Sequence, residues 1–195
     1  MNSFTFTSIE LRDILVSVLA LTAIFAYPDF LTSVEAFLVY LGVVVIAFMG
    51  HELSHKYTAI KLGFHSEYRM WPQGLLLALV MAVATGGRML FAAPGAVYFA
   101  SRWAFQSHPS RKDVGKIGAS GPAFNIVAGS ASMAALWFTG MGFFLPLAMF
   151  NLWLAIFNLI PFGPIDGAKI LRWNPKIWGS MIALAISLYI VLVFI

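Results

Sequence analysis

The segment His51-Glu52-Leu53-Ser54-His55 is the clearest chemical signal in this 195-residue chain. On a helix, residues four apart share a face and lie about 6 Å apart along the axis. Two imidazoles so placed can hold one metal ion. The intervening Glu52 stands beside it, able to take a proton from water held there. With four histidines and four glutamates available, chance produces H-E-x-x-H in about 0.2% of such chains. The competing reading is a polar helix end at a membrane interface. Val34–Gly50 alone rises about 25 Å, which puts His51 near one edge of a roughly 30 Å hydrocarbon core. An ionisable triplet there is costly, which favours a functional role.

Two histidines leave a catalytic zinc site short of its usual three protein ligands. A third histidine six residues after the second is excluded, because Lys61 stands there. His65 and Glu67 lie in a charged segment after Gly63, and His108 lies in a basic loop; all three are expected to be solvated. A better partner lies in the second polar segment, Asn158-Leu159-Ile160-Pro161-Phe162-Gly163-Pro164-Ile165-Asp166-Gly167. Two prolines three apart forbid regular helix, so an extended or kinked segment is expected, with an edge for strand-like pairing. Irregular backbone at membrane depth is tolerated where protein buries it or where it lines a polar cavity. Asp166 needs a cation and the metal site needs a ligand, and that mutual need favours Asp166 as ligand over Asp166 as cap of the next short helix.

The elements that must carry these residues are apolar. Hydrophobic residues make up 61% of the chain and charged residues 10%, with a mean hydropathy of +0.87. A soluble domain carries about a quarter charged residues, so composition argues against an ordinary globular enzyme, a disordered tail or a nucleic-acid module. The absence of cysteine excludes disulfides, thiolate zinc ligands and a catalytic thiol. About 20 apolar residues cross a bilayer as a helix, and the sequence predicts five such spans. The first is Ile14–Tyr27, extended backwards through Ile9–Asp13 and stopped by Pro28. The second starts at Val34 and continues in helical character to Leu62. The others cover about Ile117–Met141, Phe143–Ile160 and Ile177–Ile195. No signal peptide is evident, so the first span is expected to be retained.

Leu75–Ser101 reads as a re-entrant hairpin or as two short spans, with the hairpin favoured, Leu75–Thr85 being of strand length and the tip at Gly86-Gly87. The expected fold is thus an all-α polytopic membrane protein of five to six transmembrane helices. A small β-hairpin would lie between the second and third spans, within a single domain over residues 1–195. Ten of the twelve Lys and Arg residues fall in three segments on one side of this topology. The positive-inside rule then puts the N-terminus in the cytoplasm, the C-terminus outside, and the site nearer the cytoplasmic face. On this reading the +4 net charge records topology, and no nucleic-acid partner is expected.

At this point the chain resembles the site-2 protease family of intramembrane zinc metalloproteases. The resemblance rests on H-E-x-x-H in an early hydrophobic helix and, much later, N-x-x-P-x-x-P-x-D-G, matched by Asn158, Pro161, Pro164, Asp166 and Gly167. Gly121-Pro122-Ala123-Phe124-Asn125 resembles the G-P-x-x-N element of the intervening helix. The likeness covers about Leu38 to Leu171. It implies one zinc per chain held by His51, His55 and Asp166, with Glu52 as general base and Asn158 and Asn125 near the scissile peptide. It also implies hydrolysis within or near transmembrane segments of membrane-protein substrates. Ser54 stands where members usually carry Gly or Ala. The interval Lys56–Gly115 is too short and apolar for a PDZ domain, and no CBS domain is expected. Two rivals are a proteolytically inactive relative that binds membrane proteins, and a metal or proton transporter. The first would be marked by a lost Glu or ligand, the second often by inverted internal halves; neither mark is seen.

Overall fold

Side-chain caps set where several of the helices begin, in a computed structural model that describes residues 4–87, 94–101 and 109–194. Helix α1 (Ser8–Ala26) starts at Thr7, whose hydroxyl accepts the Glu10 N–H, and stops before Pro28. Helix α2 (Val34–Val44) starts at Ser33 in the same way. It passes through a π-helical turn, Val45–Met49, into α3 (Gly50–Lys61), making one continuous helix of 28 residues. Strand β1 (Phe64–Met70) follows, then α4 (Pro72–Thr85), strand β2 (Gly95–Ser101) and the 29-residue α5 (Arg111–Thr139). Ser110 and Asp113 form a reciprocal capping box at the start of α5, satisfying two otherwise orphaned N–H groups. The chain continues as α6 (Phe144–Asn158), the short α7 (Asp166–Trp173) and α8 (Pro175–Val193), the last capped by Asn174.

This architecture corrects the expectation of five to six transmembrane helices. Among the described residues, two helices are long and apolar enough to cross a membrane, Val34–Lys61 and Pro175–Val193. The other expected spans fall short for separate reasons. Helix α1 has 19 residues but carries Glu10, Arg12 and Asp13 in its first two turns. Helix α5 spends its opening turns on Arg111, Lys112, Asp113 and Lys116, then runs through Gly115, Gly118, Gly121 and Gly129. Helix α6 has 15 residues and rises about 22 Å, short of a roughly 30 Å core. The expected placement of the two termini on opposite sides depended on five crossings, and loses its basis with them.

The expected hairpin is corrected too. Leu75–Thr85 is helical, as its Leu, Ala and Met content favours, and Gly86 ends that helix in the left-handed conformation at φ +62°. The two-stranded antiparallel sheet is built instead from β1 and β2, in a register running from Phe64 opposite Ser101 to Met70 opposite Gly95.

The largest apolar cluster joins α1, the Val43–Phe48 stretch, α4 and α6, with Leu21, Ile24, Val43, Val44 and Ala78 almost wholly buried. Within it Phe25 meets Phe150 edge to face, with ring centroids 4.5 Å apart. Helix α1 also turns a polar stripe inward. Glu10 receives both Lys56 Nζ contacts, at 2.7 and 2.6 Å, and the Tyr68 N–H at 3.0 Å. Asp13 accepts the Met70 N–H, and Ser17 shares a hydrogen bond with the Tyr68 hydroxyl. Residues 10, 13 and 17 lie on one helix face. The first helix is thereby fastened both to β1 and to the helix that carries the two motif histidines.

Candidate metal centre

Three elements meet at one point. His51 and His55 project from α3 one turn apart, and Asp166 stands at the first position of α7. All three are almost fully buried. Asp166 Oδ2 lies 2.9 Å from His55 Nε2 and 3.4 Å from His51 Nε2, and the two Nε2 atoms are 2.9 Å apart. The other Asp166 oxygen is held by Lys169 Nζ at 2.8 Å. No side chain caps α7, so the carboxylate is turned to the imidazoles. The three donor atoms form a group that could hold a metal ion.

The hydrogen bonds behind the imidazoles determine what faces that point. His55 Nδ1 lies 2.6 Å from the Ile117 carbonyl, which can only accept, so Nδ1 carries the proton. His51 Nδ1 lies 2.6 Å from Asn125 Oδ1. The Asn125 amide cannot be reversed, because its N–H groups are taken by the Ala47 carbonyl at 3.0 Å and Asn151 Oδ1 at 2.9 Å. With both Nδ1 atoms protonated, neutral imidazoles present two Nε2 lone pairs and a carboxylate oxygen to one another at contact distance. Such a cluster repels itself unless positive charge, from protons or a cation, sits at its centre. The three donor atoms, 2.9, 2.9 and 3.4 Å apart, converge closely enough to be shared by one cation such as zinc. Burial alone would push the Asp166 carboxyl up. Positive charge at that centre, beside His55 and His51, together with Lys169, holds it well below the usual range, so it is a carboxylate.

Space for an ion is kept by α5. A Cβ added at Gly121 would collide with His55 Nε2 and lie 2.6 Å from His51 Nε2. Glycines open the rest of this contact. Gly115 lies against the Trp173 side chain, and Gly118 would meet Lys169 Cβ at 3.2 Å. Glu52, the next residue on α3, is buried, and its Oε2 has no hydrogen-bond partner. An orphaned buried carboxylate oxygen beside the cluster suits a group that holds water against an ion. The donor set, the glycine clearance and this oxygen all fit a zinc site with an open position.

The remaining expected residues are placed as follows. Asn125 is fully buried, its amide shared among His51, Ala47 and Asn151. Asn158 ends α6, half-buried, and donates to the Leu154 carbonyl one turn back. His65 points outward from β1, with Glu67 4.0 Å away, and His108 lies outside the described residues. Pro161–Pro164 differs from the extended edge anticipated. The Ile165 N–H closes onto the Phe162 carbonyl across Gly163 at φ +59°, making a turn. Trp178 Nε1 donates to the Leu159 carbonyl, tying α8 to the start of that turn.

Residues that sequence reading passed over are Gly121 as a spacer, Asn151, the Ile117 carbonyl, Lys169 and Tyr68. Burial, reinforced by the negative charge of Glu52, pushes the Tyr68 hydroxyl well above its ordinary value and keeps it protonated. Gly121 and Asn151 had a faint signal, as a glycine beside a proline and as an amide in the middle of an apolar helix.

A helix bearing two histidines and a carboxyl, completed by a carboxylate from a distant helix, is a donor set that suits a single-ion metallohydrolase. Over 189 residues, 92% of each chain, the sequence is 36% identical to a protein of Methanocaldococcus jannaschii named as a candidate zinc metalloprotease. The chain belongs to this zinc metalloprotease family. No family profile and no solved structure matches it.

Proposed function

We propose that this protein is an intramembrane protease of the site-2 type, which hydrolyses peptide bonds within or near transmembrane segments of membrane-protein substrates. The observation that carries this reading is the His51–His55–Asp166 cluster beside an unpartnered Glu52 oxygen, with His51, Glu52 and His55 on a helix apolar and long enough to cross a bilayer. Lys61, at the end of that helix, supports a site nearer the cytoplasmic face.

His51, His55 and Asp166 would hold the ion. When bound, zinc would act as a Lewis acid on water and on the scissile carbonyl. Glu52 takes the water proton on its free Oε2 and passes it to the departing amine. Its burial keeps bulk water from competing for that oxygen. Lys169 ties down one Asp166 oxygen, so that the other alone faces the imidazoles. Asn158, at the mouth of the Pro161–Pro164 turn, is available to donate to the developing oxyanion or to an unwound substrate strand once its bond to Leu154 is exchanged. Asn125 serves from behind His51.

The test is Glu52→Gln in purified full-length protein. The variant should retain zinc at the wild-type level and lose cleavage of a membrane-embedded substrate by about 1,000-fold or more. Cleavage at the wild-type rate would refute the assignment.

A further inference from the structure

Asn151 belongs to neither polar motif, yet it is fully buried in the middle of α6 and bonded toward the metal centre. Its Nδ2 donates to the Leu147 carbonyl at 2.9 Å. That carbonyl only accepts, so the orientation of the Asn151 amide is fixed and its Oδ1 must face Asn125. Asn125 in turn gives one N–H to Asn151 and the other to Ala47 in the π-helical turn, leaving only Oδ1 for His51. Two acceptor-only backbone carbonyls, on α6 and on the π turn, thus dictate through two amides which nitrogen of His51 is bare.

From this chain of bonds we infer that Asn125 and Asn151 form a relay that sets metal affinity, by holding His51 in the Nδ1–H form with its Nε2 lone pair aimed at the ion. The inference rests on the metal-site reading above. Both are positioning residues, since neither touches the ion or a substrate. A ligand histidine usually donates its second ring N–H to such a partner, and losing the partner costs about 10–100-fold in metal affinity. Here the partner is itself held by a second amide from another helix, so the relay ties the ligand to α6 as well as to α5. A purely structural pair of buried amides would glue helices together without altering how tightly the ion is held.

The experiment measures zinc dissociation constants by competition with a chromophoric chelator, and the absorption spectrum of the Co2+-loaded protein, on the full chain in detergent. Asn125→Leu should weaken zinc binding by about 10–100-fold, and Asn151→Leu by about 3–10-fold because Ala47 still holds the other Asn125 N–H. Both should alter the Co2+ ligand-field bands. Asn151→Asp, neutral when buried and then isosteric with asparagine, can still donate to Leu147 and accept from Asn125, and should stay within about 2-fold of wild type. Should Asn125→Leu fail to fold, the contrast between Asn151→Leu and Asn151→Asp decides the matter. Wild-type affinity and spectra in Asn151→Leu, or equal losses in the two Asn151 variants, would overturn the relay. A wild-type protein binding zinc no better than His51→Ala would overturn the metal reading itself, and the relay with it.

Discussion

Gly121 of α5 faces His55 of α3 so closely that a single added methyl group would collide with the imidazole Nε2. The space that group would fill is the point where His51, His55 and Asp166 converge. Gly121→Ala should therefore abolish stoichiometric zinc while leaving helix content unchanged, since alanine favours helix. Zinc analysis beside circular dichroism checks this, and a Gly121→Ala protein that still holds one zinc would contradict it.

Asp166 and Lys169 should separate in effect. Asp166→Ala removes a ligand and should leave zinc binding at background. Lys169→Ala removes a partly exposed ion-pair partner, worth about 1 kcal/mol or less, and should weaken zinc by no more than about 5-fold. Zinc titration of both variants tests the order, and equal effects would count against Asp166 as ligand.

Glu10 and Lys56 form a two-contact ion pair, both side chains almost wholly buried. Removing one partner strands the other charge, so Glu10→Ala should cost about 3–5 kcal/mol. Replacing both, as in Glu10→Gln with Lys56→Met, should recover a large part of that loss. Unfolding in a fixed detergent measures each variant. Equal stability of the single and double variants would show that the pair is not coupled.

Gly167 packs against the backbone at the end of α6, where a Cβ would overlap the Leu159 carbonyl. Backbone cannot move aside as a side chain can. Gly167→Ala should thus push α7 away, and Asp166 with it. We expect a loss of about 1–3 kcal/mol together with a zinc affinity at least about 10-fold weaker. Chelator competition and thermal unfolding on one sample would reveal whether the two losses occur together.

The legible parts of this protein were those with a local signature. His51, Glu52 and His55 announce themselves because helical spacing alone puts two imidazoles on one face. Asp166 could be reached by asking which acid sits in backbone that cannot be helical. The span count misled because hydropathy sums a segment and ignores direction. Glu10 and Asp13 look like the wet end of a first span until their partners, Lys56 and the β1 backbone, are seen some 46 to 58 residues away in sequence. Strand β1 did alternate, with Phe64, Ser66 and Tyr68 buried, but its His, Glu and Arg residues read as a solvated loop. Leu75–Thr85 was ambiguous by length and was settled by its place against α1 and the Val43–Phe48 stretch. Asn151 carried no spacing signal, since its partner lies on another helix.

The π-helical turn at Val45–Met49 has a consequence for chain length. A π turn is a helix holding one residue more than its span requires. Loss of one residue from that turn would let the flanking α2 and α3 keep their places. Loss of one residue between His51 and His55 would swing the second imidazole about 100° around the axis. Two deletions a few positions apart, of Ile46 in the π turn and of Leu53 between the histidines, should therefore have opposite fates, one absorbed as slack and the other dismantling the centre.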